Sequence, residues 1–162
     1  MAIIPFTVPA NVSGNKYDSS GLGNELAWEI QAEALKKEAI PIVEVLNRQD
    51  WPAKKDEFFT GNFGALSQAR EAGYDLVMVG YVEKMNSLDT MSAYAKIIDV
   101  DAGVTLWYAH IVSSTHRPEV REVGATLGFT NRRPDLISFP PLQTKLAKCT
   151  VEEAFSEKMP PG

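Results

Sequence analysis

The residues that could support catalysis or bind a metal are few and scattered. His110 is predicted in a strand and His116 in a turn, and two imidazoles without a third ligand do not define a metal site. Cys149 has no histidine near it in sequence to activate its thiol, and no Gly-x-Ser-x-Gly elbow is present. No carboxylate lies in an apolar setting that would tune it as an acid. The sequence therefore predicts a protein that is not an enzyme and uses no metal or cofactor.

Two short motifs resemble ligand-binding signatures but are incomplete. Gly21-Leu22-Gly23 opens a predicted helix after a strand, but a long segment separates the strand from the first glycine and the third glycine of the dinucleotide fingerprint is missing. Asp99, Asp101 and Gly103 match part of a calcium loop, which needs further oxygen ligands and a distal Glu. We interpret these motifs as a flexible helix start and a polar hairpin turn. Small-ligand or nucleotide binding at the helix start remains an alternative.

The composition is that of a single globular domain and excludes several classes of protein. The chain has 162 residues, and 16 Lys and Arg against 21 Asp and Glu give a net charge of -5, which disfavours non-specific binding of nucleic acid. A single cysteine excludes an internal disulfide and a zinc site built on several cysteines. No segment reaches the roughly 20 apolar residues needed to span a membrane. The chain enters a predicted strand almost at once, so we expect that a leader was removed upstream of Met1.

Three consecutive strands, predicted at residues 75–84, 91–100 and 104–112, form the centre of the fold. The apolar run at 76–79 is rich in β-branched residues and too short for a helix, which is typical of a strand buried on both faces. Gly80 then allows another part of the chain to come close. Gly103 can adopt the left-handed conformation that a tight hairpin needs.

The elements before this centre predict a parallel start to the sheet. A strand at 2–6, a helix at 22–38 and a strand at 40–46 form a right-handed βαβ unit. A short helix at 64–72 follows, with Gly73 as its C-cap. Near the end of the chain, Pro141 is predicted to start a short helix through Lys148, and a capping box at 150–153 to start another.

The first helix carries apolar residues on two faces. Leu22, Leu26, Ile30 and Ala34 form a stripe at helical spacing that should cover the sheet. Trp28 and Leu35, seven residues apart, fall on the opposite side. We expect the C-terminal helix to cover Trp28, since most large apolar side chains are buried within their own domain. The alternative is that a neighbouring subunit covers it.

A segment with mixed charge at 47–62 carries Trp51, Phe58 and Phe59. These aromatic side chains either fold back on the core as part of a short helix or form an interaction surface. Together with Trp28 and Leu35, they are the candidate interface residues of the chain.

The order of these segments resembles a superfamily of bacterial envelope lipoproteins that includes CsgG, LpoB, PelC and the N-terminal domain of TolB. The resemblance covers about residues 2–112, roughly two thirds of the chain. Its most specific parts are the strand GYDLVMVG at 73–80 and the hairpin IIDVDAGVTLW at 97–107. Both are structural signatures, so they indicate fold more than function.

The resemblance implies an α/β (α+β) fold, with a mixed sheet of about five strands in two or three layers, a βαβ start, an antiparallel hairpin and flanking helices. Residues 1–113 would form the core, and 114–162 a helical extension packed on the same domain. It also implies a non-enzymatic periplasmic domain at the outer membrane, held there through an anchor that this chain lacks, since Cys149 is far from the N-terminus. Such a domain would self-associate and support secretion or assembly of an envelope structure or exported polymer. The alternative is a monomeric activator or adaptor of an envelope enzyme such as a peptidoglycan synthase.

Overall fold

The structure is a computed structural model that describes residues 1–9, 19–38, 40–46, 58–59, 61–83, 89–114 and 140–156. Its elements are β1 (Ala2–Ile3), α1 (Ser19–Lys36), β2 (Glu44–Val45), α2 (Phe63–Glu71), β3 (Leu76–Val82), β4 (Thr90–Asp99), β5 (Thr105–Ser114) and α3 (Pro140–Ala154). The predicted elements at 2–6, 22–38, 40–46, 64–72 and 75–112 are all present in this order. The two strands of the βαβ unit, β1 and β2, are shorter than predicted.

The described strands form one five-stranded sheet in the order β2-β1-β3-β4-β5. β1 lies parallel to both β2 and β3, and β3, β4 and β5 are antiparallel in turn. Because α1 connects the parallel pair β1 and β2, the predicted βαβ start is confirmed. The predicted fold class, a mixed α/β sheet with a C-terminal antiparallel hairpin, is also confirmed.

The hairpin turn between β4 and β5 is held by the side chain of Asp99. Its Oδ1 accepts the backbone N–H groups of Asp101 at 3.0 Å and Ala102 at 2.8 Å. Gly103 has a φ of 68° and donates its N–H to the Asp99 carbonyl at 2.9 Å. The Asp99 carboxylate therefore stabilises the turn, as the hairpin interpretation predicted.

Helices cover both faces of the sheet and divide the core into two clusters. On one face, α1 and α3 pack against β1, β3, β4 and β5; the largest fully buried side chains there are Ile3, Leu26, Ile30, Met78, Met91, Leu142 and Leu146. On the other face, α2 packs its predicted stripe of Ala65, Leu66 and Ala69 against β1 and β3. Gly73 ends α2 as predicted, donating its N–H to the Arg70 carbonyl while Tyr74 donates to that of Ala69.

Phe6, three residues after the end of β1, lies close to both β3 and the start of α1. The Phe6 ring lies so close to Gly80 that a Cβ there would be 2.1 Å from it. The Phe6 carbonyl oxygen would be 2.1 Å from a Cβ at Gly23. Both glycines therefore allow contacts with one phenylalanine, and Gly23 has this structural role at the helix start.

The prediction of two short C-terminal helices is wrong, because residues 140–154 form the single helix α3. Thr150 is fully buried, and its Oγ1 donates to the Leu146 carbonyl one turn earlier at 2.7 Å. A hydroxyl bonded within the preceding turn does not cap a new helix. Residues 150–153, which match the capping-box pattern, therefore lie inside a continuous helix.

Glu29 lies where α1 meets α3, and its Oε1 accepts a hydrogen bond from Gln143 Nε2 at 3.3 Å. Burial raises the pKa of Glu29 above its usual 4.5, although a hydrogen bond with Thr144 acts in the opposite direction. The folded protein therefore binds a proton here more tightly than the unfolded chain does. This contribution to stability is complete below pH 4.5 and is lost as the pH rises through the raised pKa of Glu29.

We therefore expect Glu29→Gln, which mimics the protonated acid, to raise the free energy of unfolding at pH 7 and to have little effect near pH 4. Urea denaturation at both pH values measures the difference, with Glu153→Gln on the exposed side of α3 as a control. A Glu29→Gln variant that is less stable than the wild type at pH 7 would show that the charged carboxylate stabilises the helix pair.

Candidate interaction surfaces

The outer face of α1, formed by Trp28 and Leu35, is not covered by the C-terminal helix. α3 packs against the core stripe of α1 and contacts it at Glu29, but Trp28 remains 53% exposed and Leu35 45% exposed. The expectation that the C-terminal helix covers Trp28 is therefore wrong. The reason is geometric: α3 fills the groove between α1 and the strands β4 and β5, leaving the side of α1 away from the sheet open.

The two described residues of the aromatic segment differ in their environment. Phe58 folds back on the sheet and is 4% exposed, while Lys96 Nζ donates to its carbonyl at 2.6 Å and lies 4.8 Å from its ring centroid. Burial lowers the pKa of Lys96. Phe59 is 56% exposed, with its ring edge-on to that of Phe58 at 5.1 Å. Trp51 lies outside the described residues, as does His116.

A second apolar surface lies on the face of the hairpin that α2 leaves uncovered. We call it the open sheet face and define it by Phe59, Tyr94, Tyr108, His110 and Val112. α2 packs against β1 and β3. Over the β4 and β5 half of this face the described cover is Phe58, whose ring lies 6.5 Å from that of Tyr94 and 6.4 Å from that of Tyr108. Tyr108 and Val112 are each 54% exposed. The register places Tyr94 opposite His110, so their side chains lie on the same face.

The rings of the open sheet face are ordered by stacking on one another. The ring of Tyr94 lies 4.3 Å from that of His110 at 19° and 6.1 Å from that of Tyr108 at 17°. The Phe59 ring meets the Tyr94 ring edge-on at 6.1 Å. Such pairs add about 0.5 to 1.5 kcal/mol beyond area burial, so this surface is preorganised in the single chain. These rings would therefore lose little side-chain entropy if another molecule bound to this surface.

Two polar side chains at the rim of this face, Ser92 and His110, meet at the carboxylate of Glu83. Glu83 Oε2 accepts a hydrogen bond from Ser92 Oγ at 2.6 Å and lies 2.7 Å from His110 Nε2. In a catalytic relay the serine hydroxyl must contact the imidazole that takes its proton. Here the serine and the histidine both contact the carboxylate, so the cluster orients the imidazole ring without forming a relay.

Sequence reasoning missed the open sheet face although a signal for it was present. Along β5, Trp107, Ala109 and Ile111 alternate with Tyr108, His110 and Val112, so both faces carry apolar side chains. A strand with one solvated face normally shows polar residues at alternate positions. The pattern in β5 departs from this rule and is the sequence signal for the open sheet face.

The other residues considered from the sequence lie in structural positions. Cys149 is a free, half-buried thiol packed against the core of α1 and α3. In the part of the chain that the structure describes, no group of three His, Cys, Asp or Glu side chains could hold a metal ion. No helix among the described residues is long and apolar enough to cross a bilayer.

Comparison with known proteins gives no sequence match but a clear likeness of fold. No family model and no curated protein matches the chain. The solved structures with a similar fold include PelC, a member of the group of bacterial envelope proteins that the sequence resembles, so the resemblance is confirmed at the level of the fold.

PelC of Paraburkholderia phytofirmans, solved as a dodecamer, has a TM-score of 0.50 at 14% identity, covering 94% of this chain and 83% of that chain. TolB of Acinetobacter baumannii has a TM-score of 0.42 at 16% identity, covering 72% of this chain and 23% of that one. The lipoprotein GNA1162 of Neisseria meningitidis has a TM-score of 0.40 at 17% identity, covering 70% and 78%. At 14% identity the likeness to PelC shows a shared fold alone, and function must be argued from the surfaces.

Proposed function

We propose that this chain is a non-enzymatic accessory domain of the bacterial envelope that self-associates in the periplasm and supports secretion or assembly of an envelope structure or exported polymer. The observation that carries the proposal is that large apolar side chains stay exposed on both sides of the sheet, at Trp28 and Leu35 on α1 and at Phe59, Tyr108 and Val112 on the open sheet face.

Two features of these surfaces favour association over simple exposure. First, apolar residues scattered singly over a surface are normal, whereas the open sheet face gathers several on adjoining strands. Second, exposed tryptophan and tyrosine are the side chains that contribute most to protein interfaces. The dodecameric state of PelC, a protein of the same fold, supports the proposal by analogy.

Trp28→Glu tests the proposal on the α1 face. A charge buried in an interface in place of a tryptophan should cost about 2 kcal/mol or more, which weakens association at least roughly 30-fold. We expect sedimentation velocity to show the variant shifted toward the monomer. Its circular dichroism spectrum should match that of the wild type, and its thermal unfolding should stay cooperative, with a midpoint lowered only by the loss of association. Trp28 is half exposed in the single chain, so the variant should remain folded.

Ile42→Glu is the matched control, because Ile42 is 59% exposed but lies outside both apolar surfaces. It adds the same charge and should leave the oligomer intact. If the wild type and both variants sediment as monomers at every concentration, self-association is refuted. If Trp28→Glu unfolds the chain, Trp28 belongs to the core and not to an interface.

A further inference from the structure

β5 forms one edge of the sheet, and apart from a register shift near its start it carries none of the prolines and charges that normally protect an edge strand. It is ten residues long, from Thr105 to Ser114, and contains no proline and no Asp, Glu, Lys or Arg. The opposite edge, β2, has only two residues, one of which is Glu44. Natural proteins shorten, charge or cover exposed edges because a long uncharged edge pairs with other strands. Among the described strands, one edge is thus short and charged, while the other is long and uncharged.

The hydrogen bonds of the sheet show which backbone groups of β5 point outward. Glu83 donates its N–H to the Ser92 carbonyl, so the backbone groups of Ser92 point toward β3. Because these directions alternate along a strand, those of Ala93 and Ala95 point toward β5, where the register pairs them with Ile111 and Ala109. The backbone groups that point away from β4 therefore belong to the alternate residues Tyr108, His110 and Val112.

These three residues also carry exposed side chains on the open sheet face, so edge and face form one surface. In the described part of the chain, β5 pairs with β4 alone. A strand added at this edge would receive the outward hydrogen bonds of Tyr108, His110 and Val112. Its side chains would pack beside the exposed side chains of Tyr108 and Val112.

We propose that β5 pairs antiparallel with β5 of a second copy of this chain about a two-fold axis, joining two sheets into one of ten strands. The inference rests on the proposed self-association and names its contact. Two copies that each carry a net charge of -5 repel one another, and this edge lets them meet without opposing carboxylates. Two-fold symmetry also places the open sheet faces of both copies side by side, so apolar side chains meet apolar side chains.

We place the two-fold axis at His110, because this position gives the most favourable side-chain pairs across the two strands. Outward-pointing residues can form hydrogen-bonded pairs only with each other, so the pairs are restricted to Tyr108, His110, Val112 and, at the strand end, Ser114. An axis at His110 pairs Tyr108 with Val112 of the second copy twice, and aromatic with β-branched pairs are among the favourable cross-strand pairs. Each axis shifted by one residue loses both of these pairs.

Single cysteines in a Cys149→Ser background test this register. Opposed hydrogen-bonded residues have Cα atoms about 5.5 Å apart, within the range of about 4.4 to 6.8 Å that a disulfide needs. We expect His110→Cys to form a covalent dimer with itself under mild oxidation. Val112→Cys alone should cross-link at least ten-fold more slowly, while a mixture of Tyr108→Cys and Val112→Cys should cross-link readily. Equal rates for all three samples would overturn the register and with it the proposed pairing.

Edge-blocking variants test the pairing without cysteines. Val112→Pro removes an outward N–H and leaves the ladder with β4 intact, and Val112→Lys adds a charge at the same place with little risk to folding. Light scattering should show at least ten-fold weaker association for both variants. Val104→Lys is the matched control, because Val104 is 55% exposed but lies in the hairpin turn, before β5 begins.

The outcomes separate this inference from the proposed function. If Trp28→Glu weakens the oligomer while Val112→Pro and Val112→Lys do not, the chain self-associates by another surface and the β5 pairing is refuted. If the unaltered chain is a monomer at every concentration, the proposed self-association fails first. Loss of association in both Val112 variants but not in Val104→Lys supports the pairing.

Discussion

Gly23→Ala is expected to destabilise the fold by about 1 to 3 kcal/mol or more, although glycine to alanine in a helix normally stabilises it. An added Cβ would lie 2.1 Å from the carbonyl oxygen of Phe6 and 3.1 Å from its carbonyl carbon. These atoms belong to backbone that follows β1 along β3, with the Thr7 N–H bonded to the Gly80 carbonyl. The contact therefore cannot be relieved by rotating a side chain.

Gly21→Ala is the matched control for this prediction. It lies two residues earlier in the same helix, and a Cβ there meets nothing within 4 Å. We expect this variant to be neutral or more stable by up to about 1 kcal/mol. Urea denaturation of both variants gives the comparison. Equal stability of the two would mean that α1 and the segment after β1 are not packed as closely as the structure places them.

Leu146→Ala is expected to cost about 2 to 5 kcal/mol, because it creates a cavity in a fully packed core. Leu146 is 0% exposed on α3 and lies in the cluster that joins α3 to α1 and to strands β4 and β5. Lys145→Ala, one residue earlier on an exposed position, is the control and should change stability by less than about 0.5 kcal/mol.

The shape of the unfolding transition adds a second readout for Leu146→Ala. If α3 belongs to the same cooperative domain as residues 1–113, the variant should unfold in one transition at a lower urea midpoint. A wild-type midpoint, or a separate early transition for α3 alone, would contradict the packing of α3 as part of this core.

The parts of the fold that could be predicted from the sequence depend on local patterns. The run at 76–79 and the spacing of the turn before Gly103 predict β3, β4 and β5 because alternation and turn chemistry act over a few residues. The stripe of Leu26, Ile30 and Ala34 likewise predicts which side of α1 is buried. All of these features are confirmed by the sheet order and by the buried residues of the core.

The parts that could not be predicted depend on contacts between distant segments. The stripe and the two apolar faces of α1 do not show where α3 docks, so the covering of Trp28 was predicted wrongly. A capping-box pattern is also compatible with a helix interior, and burial of Thr150 decides between the two. The exposure of the open sheet face depends on which strands α2 covers, and no local sequence pattern predicts this. The interface residues Trp28, Leu35, Trp51, Phe58 and Phe59 remain a prediction, with Phe58 buried in the single chain.

The most direct test of the proposed self-association is the solution mass of the unaltered chain, measured by light scattering over a range of protein concentrations. We predict a mass above that of one chain, rising with concentration to a defined plateau, because apolar side chains are exposed on both sides of the sheet and along β5. The mass of a single chain at every concentration would contradict self-association and would favour a monomeric adaptor that uses the same surfaces on another protein.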